Sequence, residues 1–205
     1  MDIDAFILVG GRSRRFGSDK ANIVLDGRLL LEKTIQTIRS AIDPNRILLV
    51  AANDAQFFAS PATMLSLPFI FDIYESRGPL GAIHTALAHA QSEWAYITAC
   101  DYPFVCPEVI VRLAANMTDD VDAVAAIQPD GRVQPLLAFY RVRAVLKVIE
   151  EQLIEDRSTT AAKTVFDNVP SSLLPFEKLN DLPNASEVFF NVNTPANLQR
   201  AMKIK

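Results

Sequence analysis

The sequence predicts an α/β fold with a mostly parallel sheet, and two observations carry that prediction. Apolar runs of strand length alternate with segments whose apolar residues recur at helical spacing over most of the chain. Several of those runs are apolar on successive residues instead of alternate ones, as in strands covered on both faces. In chain order the strand-like runs are AFILVG (5–10), RILLVAA (46–52), PFIFD (68–72), WAYITACD (94–101), DAVAAI (122–127), PLLAFY (135–140) and EVFFNVN (187–193).

Between them lie the helical patterns. RLLLEKTIQTIRSAI (28–42) carries a stripe of Leu30, Leu31, Thr34, Ile35 and Ile38. GPLGAIHTALAHAQ (78–91) opens on a Gly-Pro turn, and proline is well placed in a first helical turn because its missing N–H has no partner there. PEVIVRLAANM (107–117), VRAVLKVIEEQLIE (142–155) and TPANLQRAMKI (194–204) complete the set. The stretch VPSSLLPFEKLNDLPNASE (169–187), rich in proline and polar turn residues, reads as surface loop. No repeat, low-complexity tract or linker divides the 205 residues, which are enough to bury a sizeable core; we expect one domain over 1–205, a three-layer sandwich.

A net charge of −4 argues against non-specific binding to nucleic acid, which depends on neutralising many phosphates at once. The N-terminus MDIDAFILVGG has acidic residues where a signal peptide carries basic ones, and its apolar run is too short to span a bilayer, so a cytoplasmic protein is expected. Cys100 and Cys106 cannot build a zinc site by themselves, and a reducing compartment disfavours their pairing. His84 and His89 lie on one predicted helix with no second group of ligands and read as structural.

Against that acidic background, the segment ILVGGRSRRFGSDKA (7–21) is locally basic. Ligands of open α/β sheets sit outside the carboxyl ends of the strands. Gly10 and Gly11 follow the first strand directly, letting the backbone turn tightly and bring N–H groups to an anion. Arg12, Arg14, Arg15 and Lys20 add cations, with guanidinium geometry matched to phosphate oxygens. A phosphate chain is the ligand these residue types suit. The segment is not a P-loop, since Gly17 is followed by Ser18 and Asp19, and it is not the G-x-G-x-x-G of dinucleotide folds.

LVGGRSRRFGSDKA resembles the signature loop of nucleotidyltransferases of the molybdenum cofactor guanylyltransferase family, L-A-G-G-x-S-x-R-[FM]-G-x-D-K, with Val9 in place of alanine. Further resemblances follow in family order. GPLGAI (78–83) has Ala82 for a glycine, and ACDYPF (99–104) has Tyr102 for a methionine. GRVQPLLAFY (131–140) and FFNVNTPANL (189–198) are also similar to family motifs. The resemblance runs from near residue 5 to near residue 200 and implies a Rossmann-like nucleotidyltransferase fold.

It also implies a reaction: GMP passes from GTP to the terminal phosphate of molybdopterin, with release of pyrophosphate and with Mg²⁺ as cofactor. Asp101, ending an apolar strand, is the expected magnesium ligand, since a carboxylate suits a hard cation. As a residue reading alone, a turn or helix cap is an equal alternative. Lys20 is expected to bind the triphosphate and stabilise the leaving pyrophosphate, helped by Arg15, while the backbone of Leu8, Val9, Gly10 and Gly11 cradles the nucleotide. Asn53 and Asp72 correspond by resemblance to nucleotide-contacting positions; Gly78, Pro79 and Leu80 would turn helix N–H groups toward the nucleotide. Asn191 and Asn193, two apart on an expected strand, would share a face and contact magnesium-bound water or pterin phosphate, and Arg132 and Gln134 are further pterin candidates.

The implied partners are the two substrates, with transient contact to other cofactor-biosynthesis proteins or acceptor enzymes, and no nucleic acid or membrane. Three alternatives stay open: a cytidylyltransferase for the same pterin, a sugar-phosphate nucleotidyltransferase, and a non-catalytic nucleotide- or partner-binding protein on the same fold.

Overall fold

The computed structural model describes residues 2–9, 23–52, 66–74, 76–155 and 161–204. Its centre is a seven-stranded sheet formed by β1 (Ile3–Leu8), β4 (Arg46–Ala51), β5 (Phe69–Phe71), β6 (Trp94–Ala99), β7 (Ala123–Ile127), β8 (Val133–Arg141) and β9 (Ser171–Leu174). A separate antiparallel ribbon joins β2 (Val24–Leu25) to β3 (Arg28–Leu29). The sheet order is β5-β4-β1-β6-β8-β7-β9. Every pairing in it is parallel except the two made by β8, which runs antiparallel to both β6 and β7.

Burial explains the successive apolar residues of the central strands. On β1, Ile3, Ala5 and Ile7 face one layer, where α1 (Leu30–Ala41) and α3 (Pro107–Ala114) supply Leu31, Ile35, Ile38, Val109, Ile110 and Leu113. Phe6 and Leu8 face the opposite layer, where α2 (Gly78–His89) and α4 (Val142–Glu155) supply Leu80, Ile83, Val145 and Ile149. A strand buried on both faces favours apolar residues at successive positions. The three layers expected from the sequence are therefore present, and the short helices α5 (Val165–Asn168) and α6 (Pro195–Ala201) complete the list.

Asp4 breaks the apolar pattern of β1. Its fully buried carboxylate accepts from Arg46 Nη2 at 2.6 Å, from the Gln91 backbone N–H at 2.7 Å and from Ser92 Oγ at 3.0 Å. Burial pushes the carboxyl up, but these hydrogen bonds together outweigh it and hold Asp4 below the ordinary carboxylate range.

Two expectations need correction. EVFFNVN is no strand: Ala185–Glu187 forms a 3₁₀ turn and 190–193 runs on without a sheet partner. Conversely, the segment read as surface loop contains β9, which pairs in parallel with β7 from Ala123–Ser171 to Ala126–Leu174. Proline-flanked SSLL lacks the β-branched residues that mark a strand, and its pairing is an edge pairing dictated by the neighbouring strand.

Candidate active site

The chain order changes direction between β1 and β6. From β1 it proceeds outward to β4 and β5 on one side, and β6 then begins the other half of the sheet. The crevice beyond the carboxyl ends of strands at such a reversal is where open sheets bind ligands. Leu8 and Val9 lie at that point on β1: Cys100 N–H donates to Leu8 O at 3.3 Å, and Val9 N–H donates to Val50 O at 2.9 Å. Both side chains are buried, which leaves backbone as what these residues can offer a ligand.

Asp72 follows β5 and is tied to the end of β4 by its own N–H, which donates to Ala51 O at 2.9 Å. Among the described residues its Oδ1 accepts no hydrogen bond although it is buried. Burial pushes the carboxyl up to about 6. An acceptor atom left in this state is one that a donor brought by a ligand could satisfy.

The segment after Asp72 is secured to α2. Ile73 N–H donates to Thr85 Oγ1 at 2.9 Å, and that hydroxyl donates to Gly81 O at 3.0 Å. Gly81 is required to be glycine, because a Cβ there would stand 2.8 Å from Arg77 Cβ and 3.0 Å from Tyr74 O. Gly78 has a positive φ of 55° and starts α2 with Pro79 in the first turn; both are exposed, whereas the Leu80 side chain is buried in the core. Thus Gly78 and Pro79 present backbone at the helix start, while Leu80 anchors it.

Asp101 lies two residues beyond β6, on the strand next to β1, and is buried. Its carbonyl accepts from Val192 N–H at 2.9 Å, bringing the 190–193 segment onto the same edge. Phe104 and Phe190 pack edge to face, 5.9 Å between ring centroids, and strengthen that contact. The guanidinium of Arg200, on α6, lies over the other side of the junction, 4.8 Å from the Phe190 ring centre. Thr194 accepts at 3.1 Å from Asn197 N–H and so caps α6 directly behind this segment.

Asn191 and Asn193 therefore reach the site by docking, not as a strand pair. Asn191 is partly buried, and its Oδ1 accepts no hydrogen bond among the described residues, while Asn193 is exposed. Gln134 is buried near the start of β8, three residues before the Leu137–Thr98 pairing, and so also lies toward this edge. Arg132 sits in the exposed turn between β7 and β8, with its guanidinium 2.6 Å from Asp130 Oδ2 and Gly131 at a φ of 83°. Gly10, Gly11, Arg15, Lys20 and Asn53 lie outside the described residues.

Tyr102 is the residue whose place the sequence reading did not foresee. Its phenol is buried beside the Asp101 carboxylate and the Asn191 side chain; burial is the main cause of a strongly raised pKa, Asp101 adds to it and Asn191 opposes it. The departure from methionine at this position was the available signal. Among the described residues no three His, Cys, Asp or Glu side chains gather as a metal cluster. A cation here would have Asp101 as its carboxylate and the amide oxygen of Asn191 as a nearby neutral donor, which fits a hard ion that keeps several waters and shares substrate phosphates.

The histidines behave as expected of structural residues. His84 is buried on α2, edge to face with Tyr74 and 3.7 Å from Glu150 Oε1; burial lowers its pKa despite the opposing effect of Glu150. His89 Nδ1 lies 2.9 Å from Thr85 O. Cys100 and Cys106 are both free thiols. No described helix is long and apolar enough to cross a membrane.

Known proteins resemble this chain over most of its length. A family model described as the MobA-like NTP transferase domain matches residues 5–169. The chain is 34% identical over 198 residues to a probable molybdenum cofactor guanylyltransferase of Carboxydothermus hydrogenoformans, covering 97% of this chain and 94% of that one. It is 32% identical over 200 residues to a molybdenum cofactor guanylyltransferase of Desulfosudis oleivorans, with coverage of 97% and 94%. Among solved structures, molybdopterin-guanine dinucleotide biosynthesis protein A from Archaeoglobus fulgidus matches with a TM-score of 0.78 at 27% identity, over 98% of this chain and 97% of that one. With relatives matched nearly end to end and the family model over residues 5–169, the chain belongs to the MobA-like NTP transferase domain family and is a nucleotidyltransferase.

Proposed function

We propose that the chain, acting as one domain over 1–205, transfers GMP from GTP to the terminal phosphate of molybdopterin in the cytoplasm. A terminal phosphate oxygen of the pterin attacks the α-phosphorus in line; the bond from that phosphorus to the bridging oxygen breaks, and pyrophosphate leaves with the electron pair. The observation that carries the reading is that Leu8–Val9, Asp72 and Asp101 all lie at or just beyond the carboxyl ends of parallel strands of one sheet, together with relatives bearing the guanylyltransferase name.

In this reading, the backbone at Leu8–Gly11 and at Gly78–Leu80 lies along the nucleotide. Asp72, with Asn53, meets the guanine edge: the base offers N–H donors at N1 and N2, and Asp72 Oδ1 has no donor among the described residues. Lys20 and Arg15 balance the charge that collects on the departing pyrophosphate. Asp101, with Asn191 beside it, would hold Mg²⁺, and the ion would supply neutralisation of phosphate charge. Arg132, Gln134 and Asn193 are assigned to the pterin side. Contacts with proteins that deliver or receive the cofactor would be transient.

The test is calorimetry of GTP, CTP, ATP and UTP with Mg²⁺, on the wild type and on Lys20→Ala. Preference for GTP that is lost in the variant, followed by pterin-dependent pyrophosphate release, is the expected result. Preference for CTP would replace guanylyl with cytidylyl transfer, and nucleotide binding without pterin-dependent turnover would overturn the acceptor assignment.

A further inference from the structure

Asp72 stands just past the end of β5, an edge strand that stops at Phe71, and the side chains of Ile73 and Tyr74 that follow are exposed. The backbone around Asp72 is held through the two N–H groups that flank its Cα. The first, its own, donates to Ala51 O at 2.9 Å and so extends the contact with β4. The second, that of Ile73, donates to Thr85 Oγ1 on α2 at 2.9 Å. One tether comes from the sheet and the other from a single side chain.

Thr85 is fully buried, and its hydroxyl has one proton to give and lone pairs to receive with. The proton goes to Gly81 O at 3.0 Å, one turn back along α2, which leaves the oxygen as an acceptor for Ile73 N–H. Gly81 is itself packed against the 74–77 backbone, with room for no Cβ. Gly81 O, Thr85 Oγ1 and Ile73 N–H therefore form a chain from a closely packed helix turn to the residue next to Asp72. A backbone N–H set free beside a carboxylate competes for it, so the same bond keeps the Asp72 oxygens available to a ligand.

We propose that Thr85 is a positioning residue for guanine recognition, whose hydroxyl, by holding Ile73 N–H, fixes the direction in which the Asp72 carboxylate meets the N1 and N2 donors of the base. The inference rests on the reading of Asp72 as the guanine acceptor. Thr85 acts through residue 72, and its effect disappears when the Asp72 carboxylate is absent.

The experiment is calorimetry of GTP and of inosine triphosphate, which lacks the 2-amino group, with Mg²⁺ and without pterin or turnover. Two donors on one carboxylate need it correctly turned, whereas one donor tolerates more displacement. Thr85→Val is expected to weaken GTP binding about 5- to 20-fold and inosine triphosphate binding less, so that the preference between them contracts. A purely structural loss would lower both alike and leave their ratio unchanged. Thr85→Ser keeps the hydroxyl and is expected to bind both nucleotides as the wild type does. Thr85→Val added to Asp72→Asn is expected to cost nothing beyond Asp72→Asn alone. Thr85→Ala is the second variant should Thr85→Val fail to fold. An unchanged ratio in folded Thr85→Val or Thr85→Ala, the same contraction in Thr85→Ser, or losses that multiply in the double variant would overturn the proposal. Asp72→Asn separates this from the underlying reading: GTP affinity retained in Asp72→Asn, or a wild type that does not distinguish the two nucleotides, overturns the guanine assignment and the positioning role with it.

Discussion

Asp72→Asn should make the ligand-free protein more stable while weakening its hold on guanine nucleotides. The Asp72 carboxyl is pushed up to about 6 by burial, against 3.8 for the unperturbed group. Two units correspond to about 3 kcal/mol of cost for carrying the charge in the fold, and partial solvent screening reduces this to about 1–3 kcal/mol. The sign follows from proton counting. Between about pH 4 and pH 6 the folded state keeps a proton that the unfolded chain gives up, so wild-type stability falls as pH rises through that window. Asparagine carries no charge and lacks that slope. Thermal melts should place Asp72→Asn above the wild type by about 2–12 °C at pH 8, with the gap narrowing at pH 4. Calorimetry at pH 8 should show GTP affinity lower by about 10- to 100-fold, since two donors lose a charged acceptor. A variant that melts below the wild type at pH 8, or above it by the same margin at both pH values, would refute the argument that Asp72 is a charge buried for a ligand.

Four other outcomes are expected. Asp101→Ala should abolish pyrophosphate release while circular dichroism and melting show an intact fold; substantial turnover would remove Asp101 from the cation site. Lys20→Ala should lower kcat/KM for GTP by at least about 100-fold if it stabilises leaving-group charge, and an unchanged value would dismiss that role. Asp4→Ala should cost about 3–5 kcal/mol, or about 6–20 °C in melting temperature, because Arg46 and the Gln91 and Ser92 donors lose their common acceptor. Its contribution is present above the ordinary carboxylate range and is lost as pH falls through the depressed folded value, so urea titrations of wild type and variant should converge in acid. Gly81→Ala should destabilise by about 1–3 kcal/mol even though alanine favours a helix, since the added methyl meets Arg77 Cβ and Tyr74 O; a stabilised variant would show that the 72–77 segment yields easily.

Periodicity made the layered sheet legible because both faces of its central strands are covered. Ile3, Ala5 and Ile7 alternate with Phe6 and Leu8, and apolar residues on both sides of one strand admit few other placements. The edges were harder to read. β9 pairs through SSLL, in which Leu174 alone is buried, and nothing local distinguishes such an edge strand from a loop. FFNVN misleads in the opposite direction: Val192 is buried and Phe190 is stacked, but the burial comes from docking against the Asp101 loop and α6. Asp72 and Asp101 stood out as carboxylates closing apolar runs, but the family resemblance, not their position alone, favoured a ligand role over a turn or cap. The burial of Tyr102 beside the docked 190–193 segment depends on a contact across some 90 residues, and no spacing rule records that.

The bond from Val192 to Asp101 also has a temporal meaning. The chain is synthesised from its N-terminus, so β1, β4, β5 and β6 leave the ribosome well before residue 192. Until then the Asp101 carbonyl, the Phe104 ring and the buried Tyr102 phenol have none of their partners from the 190–193 segment. A nascent chain can assemble much of its sheet and still lack a finished ligand edge. The 190–193 segment and α6 act as a late fastening, and the ligand edge is complete only after they emerge.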